Sequence, residues 1–218
     1  MDFLPLAMTI FGTDACVAGV GDQGKWVRPV PIRPEQVEGT DPDFRYDRYT
    51  DVELGPAPSG GQAEDRTLLK ISKTTRSINP KMRLQLLDES MDPSVAAALS
   101  PGRSLGLVSA RNCRLEARRH TGGRKYLRIC FMDAAGETYD WICAELTLNR
   151  NWRKAMREDE SGWLDRVGRV LSDLDLVHAV ALGDRNDRFP GRYDGRHPLC
   201  VGIHARDLAG DALDALLR

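Results

Sequence analysis

The chain has 218 residues, 41% of them hydrophobic, with a formal net charge of -1. That length allows one large domain or two small ones with ordinary cores. The near-neutral balance excludes a polycation, so any attraction to nucleic acid must come from how charge is distributed. The cysteines Cys16, Cys113, Cys130, Cys143 and Cys200 are scattered, odd in number and without a CxxC. This argues against a metal site or disulfide framework and for reduced thiols. The opening MDFLPLAMTIFG lacks the basic start and long apolar core of a signal peptide, and no run reaches transmembrane length. The expectation is a cytoplasmic protein with no membrane partner and no cofactor.

Leu6 to Phe11 alternates and predicts a strand, Gly12-Thr13-Asp14 a turn, and Ala15 to Val20 a second strand. Lys25 to Val30 predicts a third, with Pro29, Pro31 and Pro34 setting its end at an edge or bulge. From Arg33 to Asp65 the composition shifts to Pro, Gly, Asp and Ser, predicting a loop-rich, partly mobile stretch with one strand at Asp51 to Leu54. Arg66 to Ser72 predicts a strand, and Lys81 to Leu87 fits strand or helix. Asp92 as cap and Pro93 at the first helical position predict a short helix through SVAAALS. Ser104 to Ser109 predicts a strand that closes the first unit.

Asn112 to Cys143 carries two consecutive hairpin signals. Each is a three-residue loop ending in glycine, Thr121-Gly122-Gly123 and Ala134-Ala135-Gly136, where a left-handed glycine follows a type I turn. Closing them with His120 opposite Arg124 and Asp133 opposite Glu137 pairs Leu115 with Ile129, Arg118 with Tyr126, Ile129 with Trp141 and Phe131 with Tyr139. One face is then apolar: Cys113, Leu115, Ala117, Leu127, Ile129, Phe131, Tyr139 and Trp141. The other holds Arg114, Glu116, Arg118, Arg124, Tyr126, Arg128 and Asp140. A one-residue slip would bury the arginines, so the register is specified. Between Arg111 and Arg128 seven Lys or Arg stand against the single acid Glu116, a local basic stripe.

Beyond the meander, Asn149 or Asn151 is a candidate helix cap and Ser161-Gly162 a break within Asn149 to Leu174. Leu176 to Leu182 and Leu199 to His204 predict strands, and Asp207 to Leu217 a terminal amphipathic helix. Three strands, a helical stretch and two strands is the connectivity of an OB-fold barrel, whose ligands lie across its second and third strands between two flanking loops. One such loop is Arg118 to Lys125, including Arg119. The other is Gly183 to Pro198, holding Arg185, Arg188, Phe189, Arg192, Tyr193, Arg196 and His197, with Asp184, Asp187 and Asp194 among them. Cations neutralise phosphates and rings stack on bases.

CVAGVGDQGKWVRPVPIRP, SLGLVSA, LRICFMDAAGETYDW and HPLCVGIH together resemble the bacterial dual OB-fold (DuOB) domain proteins. Where that family has an Asn-Ser-Arg-Lys element before the first motif, this chain has Phe11-Gly12-Thr13-Asp14. The resemblance implies two OB-like barrels in tandem and nucleic-acid binding, with no established catalytic residues. The expected fold is therefore mainly β with α (α+β), divided at residues 1–110 and 111–218, with a helical insertion and a C-terminal helix.

The expected function is a non-enzymatic nucleic-acid-binding module favouring single strands. Its contacts would be Arg114, Arg118, Arg119, Arg124, Lys125, Tyr126 and Arg128, with Arg188, Phe189, Arg192 and Tyr193 from the late loop. Trp26 and Arg28 read either as a stacking shelf or, for Trp26, as core. The alternatives are a protein-interaction or small-molecule sensing module and a metal-dependent nuclease using Asp133, Glu137 and Asp140. The histidines His120, His178, His197 and His204 have no metal-ligand spacing.

Overall fold

The structure is a computed structural model that describes residues 1–21, 24–72, 76–185, 193, 195–206 and 208. It contains two closed β-barrels in tandem. The first is built from β1 (Asp2–Phe11), β2 (Asp14–Val20), β3 (Trp26–Val30), β4 (Thr50–Leu54) and β5 (Asp65–Ser72), in the order β1-β2-β3-β5-β4. Pairing of β1 with β4 closes it, and β3 runs parallel to β5. A linking segment follows, with α1 (Pro80–Glu89), β6 (Met91–Asp92) and α2 (Val95–Ala98).

The second barrel comprises β7 (Leu105–Arg119), β8 (Lys125–Met132), β9 (Thr138–Cys143), β10 (Leu176–Arg185) and β11 (Arg196–Ala205). Between β9 and β10 stand α3 (Leu146–Glu158) and α4 (Glu160–Asp173). Here β10 closes on β7, and β9 runs parallel to β11. The strand order is the same in both barrels, with first on second, second on third, third on fifth and fourth back on first. That is the OB-like arrangement the sequence predicts. Among the described residues no helix is long and apolar enough to cross a membrane.

The meander forms in the predicted register, with Leu115 on Ile129, Arg118 on Tyr126, Ile129 on Trp141 and Phe131 on Tyr139. Gly123 and Gly136 take the left-handed turn position at φ 83° and 84°. The preceding strand departs from expectation. Leu105 to Ala110 does not close the first unit; it is the start of β7 and pairs with β10 in the second barrel. A register shift between Arg111 and Arg114, with Asn112 at φ 54°, bends β7. Its first half serves one neighbour and its second half another. That bulge is where the sequence pattern breaks and suggests two strands.

Helix starts are set by side-chain caps. Asn79 accepts from the Lys81 amide at 2.9 Å with Pro80 behind it, which resolves the ambiguous 81–87 stretch as α1. Ser94, rather than Asp92, caps α2; Asp92 sits in β6 and grips Arg103 through both oxygens at 2.7 and 2.9 Å. Glu145, rather than Asn149 or Asn151, caps α3, accepting from the Thr147 and Leu148 amides at 2.9 and 2.7 Å. The helix break falls at Asp159, whose carboxylate takes the Gly162 amide at 2.9 Å. The stretch 33–49 is irregular but not solvated, since Gln36, Val37 and Phe44 are buried. Phe44 meets Phe3 edge-on at 5.9 Å. The expected terminal helix, Asp207 to Leu217, lies outside the described residues apart from Leu208.

Three apolar clusters result. Phe3, Met8, Val17, Ile32, Phe44 and Val52 fill the first barrel, joined by Leu146 from the start of α3. Leu127, Ile129, Phe131, Trp141, Leu148, Trp152 and Ile203 lie in the core of the second. Between the barrels Leu4, Leu6, Leu105, Leu107, Val177, Ala179, Leu199 and Val201 form a seam. Strands buried on both faces lose polar alternation, which explains runs such as LVHAVAL. The seam is close: a Cβ on Gly202 would stand 2.1 Å from the Leu6 carbonyl oxygen. Replacing Gly202 by Ala should therefore lower stability by about 1–3 kcal/mol. Gly168, inside α4 with nothing within 4 Å of a built Cβ, should gain about 0.5–1 kcal/mol as Ala. Chemical denaturation of both variants checks this; equal effects would overturn the close-approach reading.

Two histidines are buried neutral. His204 donates from Nε2 to the Leu6 carbonyl at 2.7 Å and accepts at Nδ1 from Arg83 at 2.9 Å. Burial, with Arg83 beside it, pushes its pKa down to about 3. His178 lies against Phe131 inside the second barrel, and burial takes it to about 3 as well. The unfolded chain takes up these protons below about pH 6.5 and the folded one does not, so stability falls as pH drops from there toward 3. Each histidine should cost about 2 kcal/mol between pH 7 and pH 5, measured as a shift in urea midpoint. A midpoint unchanged over that interval would contradict the neutral assignment.

Candidate nucleic-acid interface

The outer face of β7, β8 and β9 brings Arg114, Arg118, Arg128 and Tyr126 together as the register requires, but Arg118 and Arg128 are both paired with carboxylates. Arg118 reaches Glu116 at 2.9 Å and Asp140 at 2.9 Å, and Arg128 meets Asp140 at 2.6 Å. Arg128 also donates to the Asp140 carbonyl, and Arg119 to the Gly123 carbonyl at 3.1 Å. Partial burial pushes the Asp140 carboxyl up, yet Arg128 and then Arg118 outweigh it and hold the group below its usual range. The hydrogen bond that Arg118 donates to Glu116 raises the Arg118 pKa. A phosphate arriving here must compete with two carboxylates already in place.

Other expected contacts lie elsewhere. Arg28 is 11% exposed and held by Asp65 at 2.5 Å, so it offers no open charge. Trp26 packs on the seam cluster, which agrees with its reading as core rather than as a stacking shelf. Tyr193 leans edge-on against Trp141 at 6.3 Å and packs on the second barrel's core. Arg188, Phe189 and Arg192 lie outside the described residues, so the late loop's wall is not placed. The proposed carboxylate trio has other work. Asp133 is buried and takes hydrogen bonds from the Val95, Ala135 and Glu137 amides and the Tyr139 hydroxyl. Among the described residues no group of three or more His, Cys, Asp or Glu could hold a metal ion.

What sequence reading missed is the outward face of α3. Its N-terminal end is anchored in the first barrel by Leu146, while Leu148, Trp152 and Ala155 pack on the second. The same helix carries Arg150, Arg153, Lys154 and Arg157, spaced i, i+3, i+4 and i+7, which is one helical face. The signal was available in RNWRKAMR. A groove of about 590 Å³ runs between this face, the β1–β2 turn and the start of β8. Arg124, Lys125, Arg150 and Arg153 line it against the single acid Glu38, with Phe11, Tyr126 and Met156 as its apolar surface. Phe11 is 52% exposed. Lys125 is tied to Glu160, which also accepts the Trp152 indole N–H at 3.1 Å. Among the described residues Arg124 and Arg153 have no ion-pair partner.

The fold and this groove define the class: a protein of two OB-like barrels whose basic cleft lies where the barrels and α3 meet. Set against known proteins, the chain matches no family model, no curated protein and no solved structure.

The pairing on the sheet face can be checked without any ligand. A double-mutant cycle on Arg128→Ala and Asp140→Ala should give a coupling of up to about 1 kcal/mol that shrinks as salt is raised. A coupling of zero at low salt would mean that these arginines are free after all.

Proposed function

We propose that this protein is a non-enzymatic module that binds single-stranded DNA or RNA, and that the strand runs through the groove along α3 rather than across the middle of the β8–β9 face. The observation that carries the reading is the convergence of Arg124, Lys125, Arg150 and Arg153 with Phe11 and Tyr126 on one 590 Å³ cleft. Cations supply the sequence-independent attraction to phosphates, and rings supply stacking that only unpaired bases can use. OB-like barrels commonly serve such ligands, and the resemblance to dual OB-fold proteins points the same way. Five free cysteines, four of them buried, fit a cytoplasmic setting.

A protein-interaction module is the rival, favoured by the paired arginines of the sheet face and by the exposed Phe11 and Met156. Fluorescence anisotropy with short single- and double-stranded oligonucleotides at two salt concentrations separates them. Single strands should bind more tightly, and affinity should fall steeply with salt. Arg124→Ala and Arg153→Ala should each weaken binding and lower the salt slope by about 1, whereas Arg118→Ala should change it little. Absence of binding by the parent protein, or variants indistinguishable from it, would refute the groove assignment.

A further inference from the structure

One cation of the groove is already taken. Lys125 at the start of β8 and Trp152 on α3 both line it, and a single carboxylate engages both from the start of α4. Glu160 accepts the Trp152 indole N–H on Oε1 at 3.1 Å and pairs through Oε2 with the Lys125 ammonium. Asp159 caps that helix, which leaves Glu160 in its first turn, where the helix dipole favours an acid. Trp152 is buried in the second barrel's core, so its indole fixes where the carboxylate sits. Among the described residues Lys125 has no other ion-pair partner. The Lys125 and Glu160 side chains stay 34% and 22% exposed, so the pair is within reach of solvent.

We infer that Glu160 is a built-in counter-ion of the groove: its carboxylate occupies Lys125 in the place of a ligand phosphate, and a bound polyanion takes the ammonium over. This deepens the groove reading above and rests on it. A carboxylate and a phosphate offer an ammonium the same kind of charge-assisted acceptor. A partly exposed pair is weakly held, so a ligand that brings several phosphates at once can displace it. A small monovalent anion gains nothing over the carboxylate already there. Arg124 and Arg153, which have no ion-pair partner among the described residues, make the first contacts, and Lys125 adds to them once Glu160 lets go. The Trp152 bond separates the charge from the fold. In Glu160→Gln the side-chain amide oxygen still accepts from the indole, and only the charge that holds Lys125 is removed.

The test uses the full chain and two probes, a single strand of roughly 12 nucleotides and inorganic tripolyphosphate. Glu160→Gln should bind both about fivefold more tightly and steepen the salt slope of strand binding by about 1, with circular dichroism confirming the fold. Adding Lys125→Ala to that variant should remove the gain. Asp165→Asn, at an exposed acid further along α4, should not produce it. Strand affinity and salt slope identical in the parent and Glu160→Gln would overturn the counter-ion and leave the nucleic-acid reading intact. So would a gain in strand binding that survives Lys125→Ala or is matched by Asp165→Asn. Tighter tripolyphosphate binding by Glu160→Gln, with no strand bound by either protein, would support the counter-ion and defeat the nucleic-acid reading. No binding of either probe by either protein would defeat both.

Discussion

The constraint on which the rest depends is the contact of β1 with β11. Gly202 lets the two backbones approach where no side chain would fit, and His204 pins the junction through the Leu6 carbonyl. Because His204 must accept from Arg83 at its other nitrogen, only the neutral tautomer satisfies both bonds. Once β1 lies there, its residues divide by direction, Phe3 and Met8 into the first barrel and Leu4 and Leu6 into the seam. Strands β7, β10 and β11 divide likewise between seam and second barrel. Neither barrel has a polar outer surface on this side, so the two form a single packed body.

The seam also places α3. Glu145 caps the helix and accepts from the Tyr46 hydroxyl at 3.0 Å, while that hydroxyl accepts from the Met8 amide at 3.1 Å. Burial and then Glu145 push the Tyr46 hydroxyl well above its usual range, so it stays a donor to the carboxylate. Burial raises Glu145 too, against the pull of the Leu148 and Thr147 amides. This chain of bonds ties the irregular stretch 33–49 to a helix of the other barrel. The groove beside Arg150 is bounded by the start of this helix.

How much of this was legible in the sequence depended on whether the signal was local. The hairpins were, because turn glycines and period-two alternation lie within a few residues of each other. The start of β7 was not: a bulge at Asn112 breaks the pattern within one strand, and the partner of Leu105 to Ala110 is β10, some seventy residues downstream by order of magnitude. Caps misled in a consistent way. Asp92, Asn149 and Asn151 are all reasonable cap residues, but Asp92 is taken up by Arg103 and Glu145 starts α3 earlier in the chain. Asn149 donates to the Cys143 and Glu145 carbonyls instead. Phe44 and Val37 lay in a composition that reads as solvated loop, and they are buried because they pack into the first barrel's apolar cluster.

The site shows the same division more sharply. Counting cations from Arg111 to Arg128 found a stripe, and the register put it on one face, but the acids that neutralise it come from two different strands. Glu116 is adjacent in sequence; Asp140 arrives only through the β8–β9 pairing, where it faces Cys130 directly and Arg128 diagonally, while Arg118 reaches it across β8 from β7. A one-dimensional count cannot see that. The α3 stripe, in contrast, keeps its neighbours at i+3 and i+4, so its spacing alone collects the charge on one side. In a chain with net charge of -1, an attractive potential must be made by segregation. The sheet mixes signs and pairs Arg118 and Arg128 with acids; the helix sorts its cations to one side. That difference is why the groove along α3, rather than the strand face, is the better place for an anionic polymer.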